Sequence, residues 1–140
     1  MRKIKDVIES TIVIDKSKFI TTIYPVESIE EINSLLASTK KKYYDATHNC
    51  YAYIFDNGNI QKCSDDGEPS KTAGFPMLEV LKKNDLTNVL AITTRYFGGI
   101  KLGAGGLIRA YSSSVSTALK DVVYYVTRLQ AIYEVLIMYS

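Results

Sequence analysis

"NVLAITTRYFGGIKLGAGGLIRAY", residues 88–111, runs from an apolar, β-branched segment into five glycines and three cations. Residues 88–95 read as a buried strand. A loop that only turned a corner needs one glycine or two. Five let something come close to the main chain, either a second stretch of backbone or a ligand. The helix that follows, starting near Ala104, buries Leu107, Tyr111, Val115, Ala118 and Leu119 and turns Arg109 to solvent. Strand, glycine-rich turn and helix start is an arrangement that aims backbone N–H groups and the helix dipole at an anion. Residues 103–108 lack the last glycine of the dinucleotide fingerprint, and no Gly-Lys-Ser/Thr follows. The stretch carries no ATPase or dehydrogenase signature. What remains is a cradle of Gly98, Gly99, Gly103, Gly105 and Gly106 flanked by Arg95, Lys101 and Arg109.

Outward from this stretch the pattern is regular. Residues 10–24 alternate around a polar turn at Asp15, which reads as two strands and a tight connection. Ser28 and Glu31 form a capping-box pair ahead of Ile29, Ile32, Leu35 and Leu36 at helical spacing, with lysines at the far end. Asn57-Gly58 is a hairpin turn between residues 49–55 and 60–66. A polar loop then opens a helix at about Phe75–Asn84 with Pro76 in its first turn and Ser70 or Thr72 as its cap. The order ββαββαβα predicts an α+β fold, a mostly antiparallel sheet with its helices on one face. Residues 1–123 form one domain, and 124–140 read as a linker and a single β-rich strand. An apolar strand at the end of a chain is an open edge, so pairing with a second copy is an expected route to a homodimer.

Composition limits the function classes. The 140 residues are 46% hydrophobic and 23% charged, as a core-forming globular domain is, and the net charge of +2 gives no overall nucleic-acid footprint. Any electrostatic site must therefore come from clustering. No apolar run is long enough to span a bilayer, and no signal core follows the basic start. Cys50 and Cys63 read as reduced thiols, and the expected location is the cytoplasm.

The second polar loop is "SDDGEPSKTAG", 64–74. A turn at Asn57-Gly58 pairs residues whose numbers sum to about 115. That places Ala52 opposite Cys63, Cys50 opposite Asp65, and His48 at the level of Gly67. His48, Asp65, Asp66 and Glu68 are thus candidate acid–base residues, although a histidine beside an acid is more often simply hydrogen-bonded. His48, Cys50, Cys63 and Asp65 have an unusual spacing for zinc, and two small thiols on a core face are more often packing, so no metal site is assigned. Cys50 lies within a strand, where burial blunts a nucleophile.

With these residues assembled, "SDDGEPSKTAGFPML" (64–78), "RYFGGIKLGAGGLIRAYS" (95–112) and "ATHNCYAYIF" (46–55) closely resemble the YigZ/IMPACT family in its N-terminal domain, over about residues 10–122. Lys71 stands where many members have a small residue. The resemblance implies a fold like the second domain of a small-subunit ribosomal protein, shared with elongation factor G's fourth domain, with a left-handed β-α-β crossover. It also implies that bacterial-type members continue into a ferredoxin-like second domain, of which this chain would hold only the first strand. Eukaryotic members are associated with translational control, restraining a nutrient-sensing kinase by competing for its ribosome-associated activator.

Three functions follow as expectations. The first is a module binding RNA, the ribosome or translation factors, with Lys71, Thr72, Arg95, Gly98, Gly99, Lys101, Gly103, Gly105, Gly106 and Arg109 holding phosphates. Tyr96 or Phe97 would stack on a base or pack inward, packing being the safer assignment for Phe97. The second is an enzyme acting on a phosphorylated substrate through His48 and the acidic loop, with Mg²⁺ the one cofactor it would call for. The third is a protein-interaction module. No membrane partner is expected.

Overall fold

The strands order themselves around one fully buried element. In the computed structural model, which describes residues 1–120, Val122 and the backbone of 124–125, the elements are β1 (Lys3–Ile4), β2 (Ile8–Ile14), β3 (Ser17–Pro25), α1 (Ile29–Lys42), β4 (His48–Phe55), β5 (Ile60–Ser64), α2 (Gly74–Lys83), β6 (Val89–Tyr96), α3 (Gly103–Leu119) and β7 (Tyr124–Tyr125). β6 is buried from Val89 to Arg95, and it lies at the centre of a five-stranded sheet of order β2-β3-β6-β4-β5. Every pairing in that sheet is antiparallel. The α+β class and the order of the eight principal elements are as the sequence pattern implies. The short β1 and β7, which the pattern does not reveal, pair Ile4 with Tyr124 and Lys3 with Tyr125.

Local chemistry sets the turns. Asp15 and Lys16, with φ of 47° and 66°, form a two-residue connection between the paired Ile14 and Ser17. Asn57 and Gly58 also take positive φ, Asn59 N donates to Asp56 O, and Ala52 faces Cys63 as the register demands. At α1, Glu31 N donates to Ser28 Oγ at 3.1 Å, while the Glu31 carboxylate accepts from Glu27 N at 2.6 Å, one residue further back than a reciprocal box.

The helices divide between two faces instead of sharing one. α2 and α3 cover the face carrying Phe19, Ile23, Cys50, Ala52, Val89 and Ala91. On the other, Ile32 of α1 packs with Val26, Tyr53, Leu90 and Ile92. Along a strand alternate residues face opposite ways, and both sets on β4 and β6 are apolar, so each face needs a cover. This division fixes a handedness. β3 and β4 are parallel with β6 between them and are joined by α1. β5 and β6 are parallel with β4 between them and are joined by α2. A half-turn about the sheet normal superposes one crossover on the other but leaves their helices on opposite faces. One of the two is therefore left-handed, against the usual rule.

Of the linker and terminal strand read over 124–140, all that follows β7 lies outside the described residues, as does the dimer contact assigned to it.

Candidate functional site

A cleft of about 420 Å³ opens where β4 begins and β6 ends, between the glycine-rich loop and the loop after β5. The sheet register brings His48 opposite Arg95, and the loop carries Glu68 across both. Thr47, Phe97, Lys101 and the first residues of α3 complete the walls.

Glu68 is the hub. Its side chain is 3% exposed, so its charge must be matched within the protein. Arg95 Nη1 donates to both carboxylate oxygens at 3.0 and 2.8 Å, and Tyr111 Oη donates to Oε2 at 2.5 Å. His48 Nε2 lies 3.3 Å from Oε1 while its Nδ1 lies 2.8 Å from Asp66 O. Both ring nitrogens thus face oxygen acceptors, which hold the ring between Glu68 and the Asp66 carbonyl. Arg95 Nη2 donates to Ser17 Oγ at 3.3 Å, and the guanidinium lies over the rings of both Phe19 and Phe97, 5.7 and 5.4 Å from their centroids. Burial, reinforced by neighbouring Cys50 and Glu68, pushes the Tyr111 hydroxyl up, which keeps it a donor. Burial likewise pushes the Cys50 thiol up, so Cys50 is not an activated nucleophile.

The other acids have structural partners. Asp65, and not Ser70 or Thr72, caps α2: its Oδ1 accepts from Ala73 N and Gly74 N at 3.1 and 2.9 Å, and its Oδ2 from Lys71 N at 2.8 Å. Thr72 is buried and donates to Pro69 O at 2.6 Å, which removes it from the anion ligands. The Asp66 carboxylate accepts from Asn49 N at 2.7 Å, fixing the loop to the start of β4. We expect Asp65→Ala to lower stability by about 2 kcal/mol, the upper range for loss of one cap, since three N–H groups lose their acceptor. Urea denaturation measures this, and a loss below about 0.5 kcal/mol contradicts the assignment. Among the described residues, no three His, Cys, Asp or Glu gather as a metal-binding group.

A family model described as the Impact N-terminal domain matches residues 15–119, which include every residue of the Glu68 cluster. The chain belongs to the Impact N-terminal domain family. It is 54% identical over 120 residues to IMPACT family member YvyE of Bacillus subtilis (strain 168), covering 85% of this chain and 55% of that protein. With IMPACT family member YigZ of Escherichia coli (strain K12) it shares 39% over 111 residues, 77% of this chain and 54% of that one. A crystal structure of a hypothetical protein superposes with a TM-score of 0.84 at 34% identity, covering 89% of this chain and 62% of the other. The chain thus spans about half the length of the curated relatives it matches. No helix among the described residues is long and apolar enough to cross a membrane.

In this Impact domain the cradle residues separate by role. Arg95 is 5% exposed and bound to Glu68, so it is a wall of the cleft and not a free phosphate ligand. Lys101 lines the cleft and is exposed; Arg109 and Lys71 are exposed but stand outside its lining. Gly98 answers a close approach of backbone, from Lys16, while Gly99 and Gly103 take φ of +89° and +72°. A methyl on Gly106 would meet only its neighbour Leu102 on the helix, and one on Gly105 only the Arg109 guanidinium, at 3.4 Å. Phe97 is 46% exposed and does not pack inward. Sequence reasoning missed Tyr111 and Ser17 as members of the cluster. A tyrosine within an otherwise apolar helical stripe was the available signal, because its hydroxyl needs a buried partner.

Proposed function

We propose that this Impact domain binds the phosphate backbone of RNA belonging to the translation machinery, in the cytoplasm, through the cleft at the start of α3. The observation that carries the reading is the contrast among helix starts. Ser28 caps α1 and Asp65 caps α2, but α3 has no side-chain cap and begins in the cleft beside Lys101. Uncapped N–H groups with the dipole behind them favour an anion. The acids that would oppose it are occupied, Glu68 by Arg95 and Asp65 and Asp66 by backbone N–H groups. The likeness of fold to a ribosomal-protein domain and to elongation factor G's fourth domain, which the family resemblance implies, supports the choice of RNA partner.

Fluorescence anisotropy of a labelled single-stranded RNA across a salt series tests this. Lys101→Ala with Arg109→Ala should reduce the log–log salt slope by about 1.4, roughly 0.7 per lost phosphate contact. Gly105→Ala should weaken binding while adding up to about 1 kcal/mol of helix stability, since nothing but the Arg109 guanidinium crowds that position. An unchanged slope in the double variant, or no binding at low salt, defeats the proposal. One observation favours a second reading, phosphoester chemistry: His48 and Glu68 lie 3.3 Å apart in the same cleft wall. Mg²⁺-dependent turnover of a phosphorylated substrate by the same preparations, lost in His48→Ala, would select it.

A further inference from the structure

Phe97 is an exposed ring at the mouth of the cleft. Its backbone N donates to Thr47 Oγ1 at 3.0 Å, and its ring faces the Arg95 guanidinium at 5.4 Å. That guanidinium is itself fixed, by two bonds to Glu68, one to Ser17 and a contact with the Phe19 ring. Arg95 Nε, buried in the same wall, is without a hydrogen-bond partner among the described residues. A ring this exposed gives up much of the burial an apolar side chain gains in a core. It shares the cleft with the uncapped turn Gly103–Ala104 and with Lys101, and neither Lys101 nor Arg109 is paired with a carboxylate among the described residues.

We propose that the cleft takes one unpaired nucleotide of an RNA strand, its base stacked on Phe97 and its phosphate on the first turn of α3. The inference rests on the anion-binding reading above and adds the strand state of the ligand. Three features select it. A cleft of about 420 Å³ lies toward the lower end of ligand-sized pockets, enough for a single nucleotide. A π-face backed by a locked cation is a platform for any base. In a duplex both faces of each base are covered by its neighbours, so only an unpaired base reaches the ring.

The test compares a labelled single strand of about ten nucleotides, within the usual site size, with the same sequence as a duplex. The proteins are the wild type and the Phe97→Ala, Phe97→Leu, Phe97→Tyr and Lys101→Ala variants. The wild type should bind the single strand about tenfold tighter than the duplex, and Phe97→Ala should lose about tenfold on the single strand with its salt slope unchanged. Phe97→Leu, which keeps apolar volume without a π-face, should lose a similar factor, and Phe97→Tyr should bind like the wild type. Thermal melting checks that each variant is folded, and Phe97→Leu carries the test if Phe97→Ala is not. Equal affinity for strand and duplex, or an unaffected Phe97→Leu, overturns the stacked nucleotide; a reduced slope in Lys101→Ala would then leave the anion-binding reading standing. A wild type that binds neither RNA overturns both.

Discussion

Glu68→Ala is expected to lower folding stability by about 3–5 kcal/mol, the usual cost of removing one partner of a buried ion pair. Arg95 is 5% exposed, and Glu68 accepts both of its Nη1 bonds. Without the carboxylate, Arg95 keeps only the bond to Ser17 and two aromatic faces, and an uncompensated charge stays in the wall. Tyr111 Oη loses its acceptor at the same time, which adds to the cost. In a chain of this size the change corresponds to a fall in Tm of roughly 10–20 °C. Circular dichroism melts and urea titration measure it. Glu68→Leu combined with Arg95→Met and Tyr111→Phe should recover part of the loss, because apolar groups of similar volume need no partners. A single-variant loss under about 1 kcal/mol would mean that Arg95 reaches water. The wall of the cleft would then be open, and Phe97 would lose the fixed cation behind it.

The legible part of this protein is the part that local chemistry decides. The hairpin register came from Asn57-Gly58 alone, and it put His48 beside Gly67, where a methyl on Gly67 would lie 3.4 Å from His48 Nδ1. The α1 start came from Ser28 and Glu31, which are three residues apart. What local pattern could not give is whatever depends on the β4–β6 pairing. Arg95 and Glu68 are 27 residues apart and meet because β6 lies beside β4 in the sheet, so an arginine at a strand end read as a phosphate ligand of the glycine-rich loop. The α2 cap was missed for a similar reason. Asp65 reaches Gly74 over nine residues by a loop path no capping pattern describes, whereas Thr72 stood in the customary place. The face taken by α1 is equally hidden, since an amphipathic helix fits either side of a sheet that is apolar on both.

Gly98→Ala is the second large effect, at about 3 kcal/mol, the upper end of the cost of overpacking. A methyl there would fall on the Lys16 carbonyl group and within 2.6 Å of Lys16 Cβ, where real contacts stay above 3.0 Å. Relief requires one of two segments to move, and neither moves freely. Lys16 belongs to a two-residue turn with both φ positive, which already restricts its backbone. On the other side, Gly98 N donates to Ser17 Oγ at 3.2 Å, the same oxygen that accepts from Arg95 Nη2. Separating the segments therefore loosens Arg95 and tilts the loop that leads to Lys101 and α3. The expected signature is a coupled one, with lower Tm and weaker RNA binding together. It contrasts with Gly105→Ala, where stability should rise as binding falls, because the methyl there meets only the Arg109 guanidinium and no backbone. If Gly98→Ala melts within about 2 °C of wild type, the loop has room to yield. The cleft would then be adaptable at its rim, and the affinity of Phe97 for a base would depend on loop closure instead of on a ring fixed in advance.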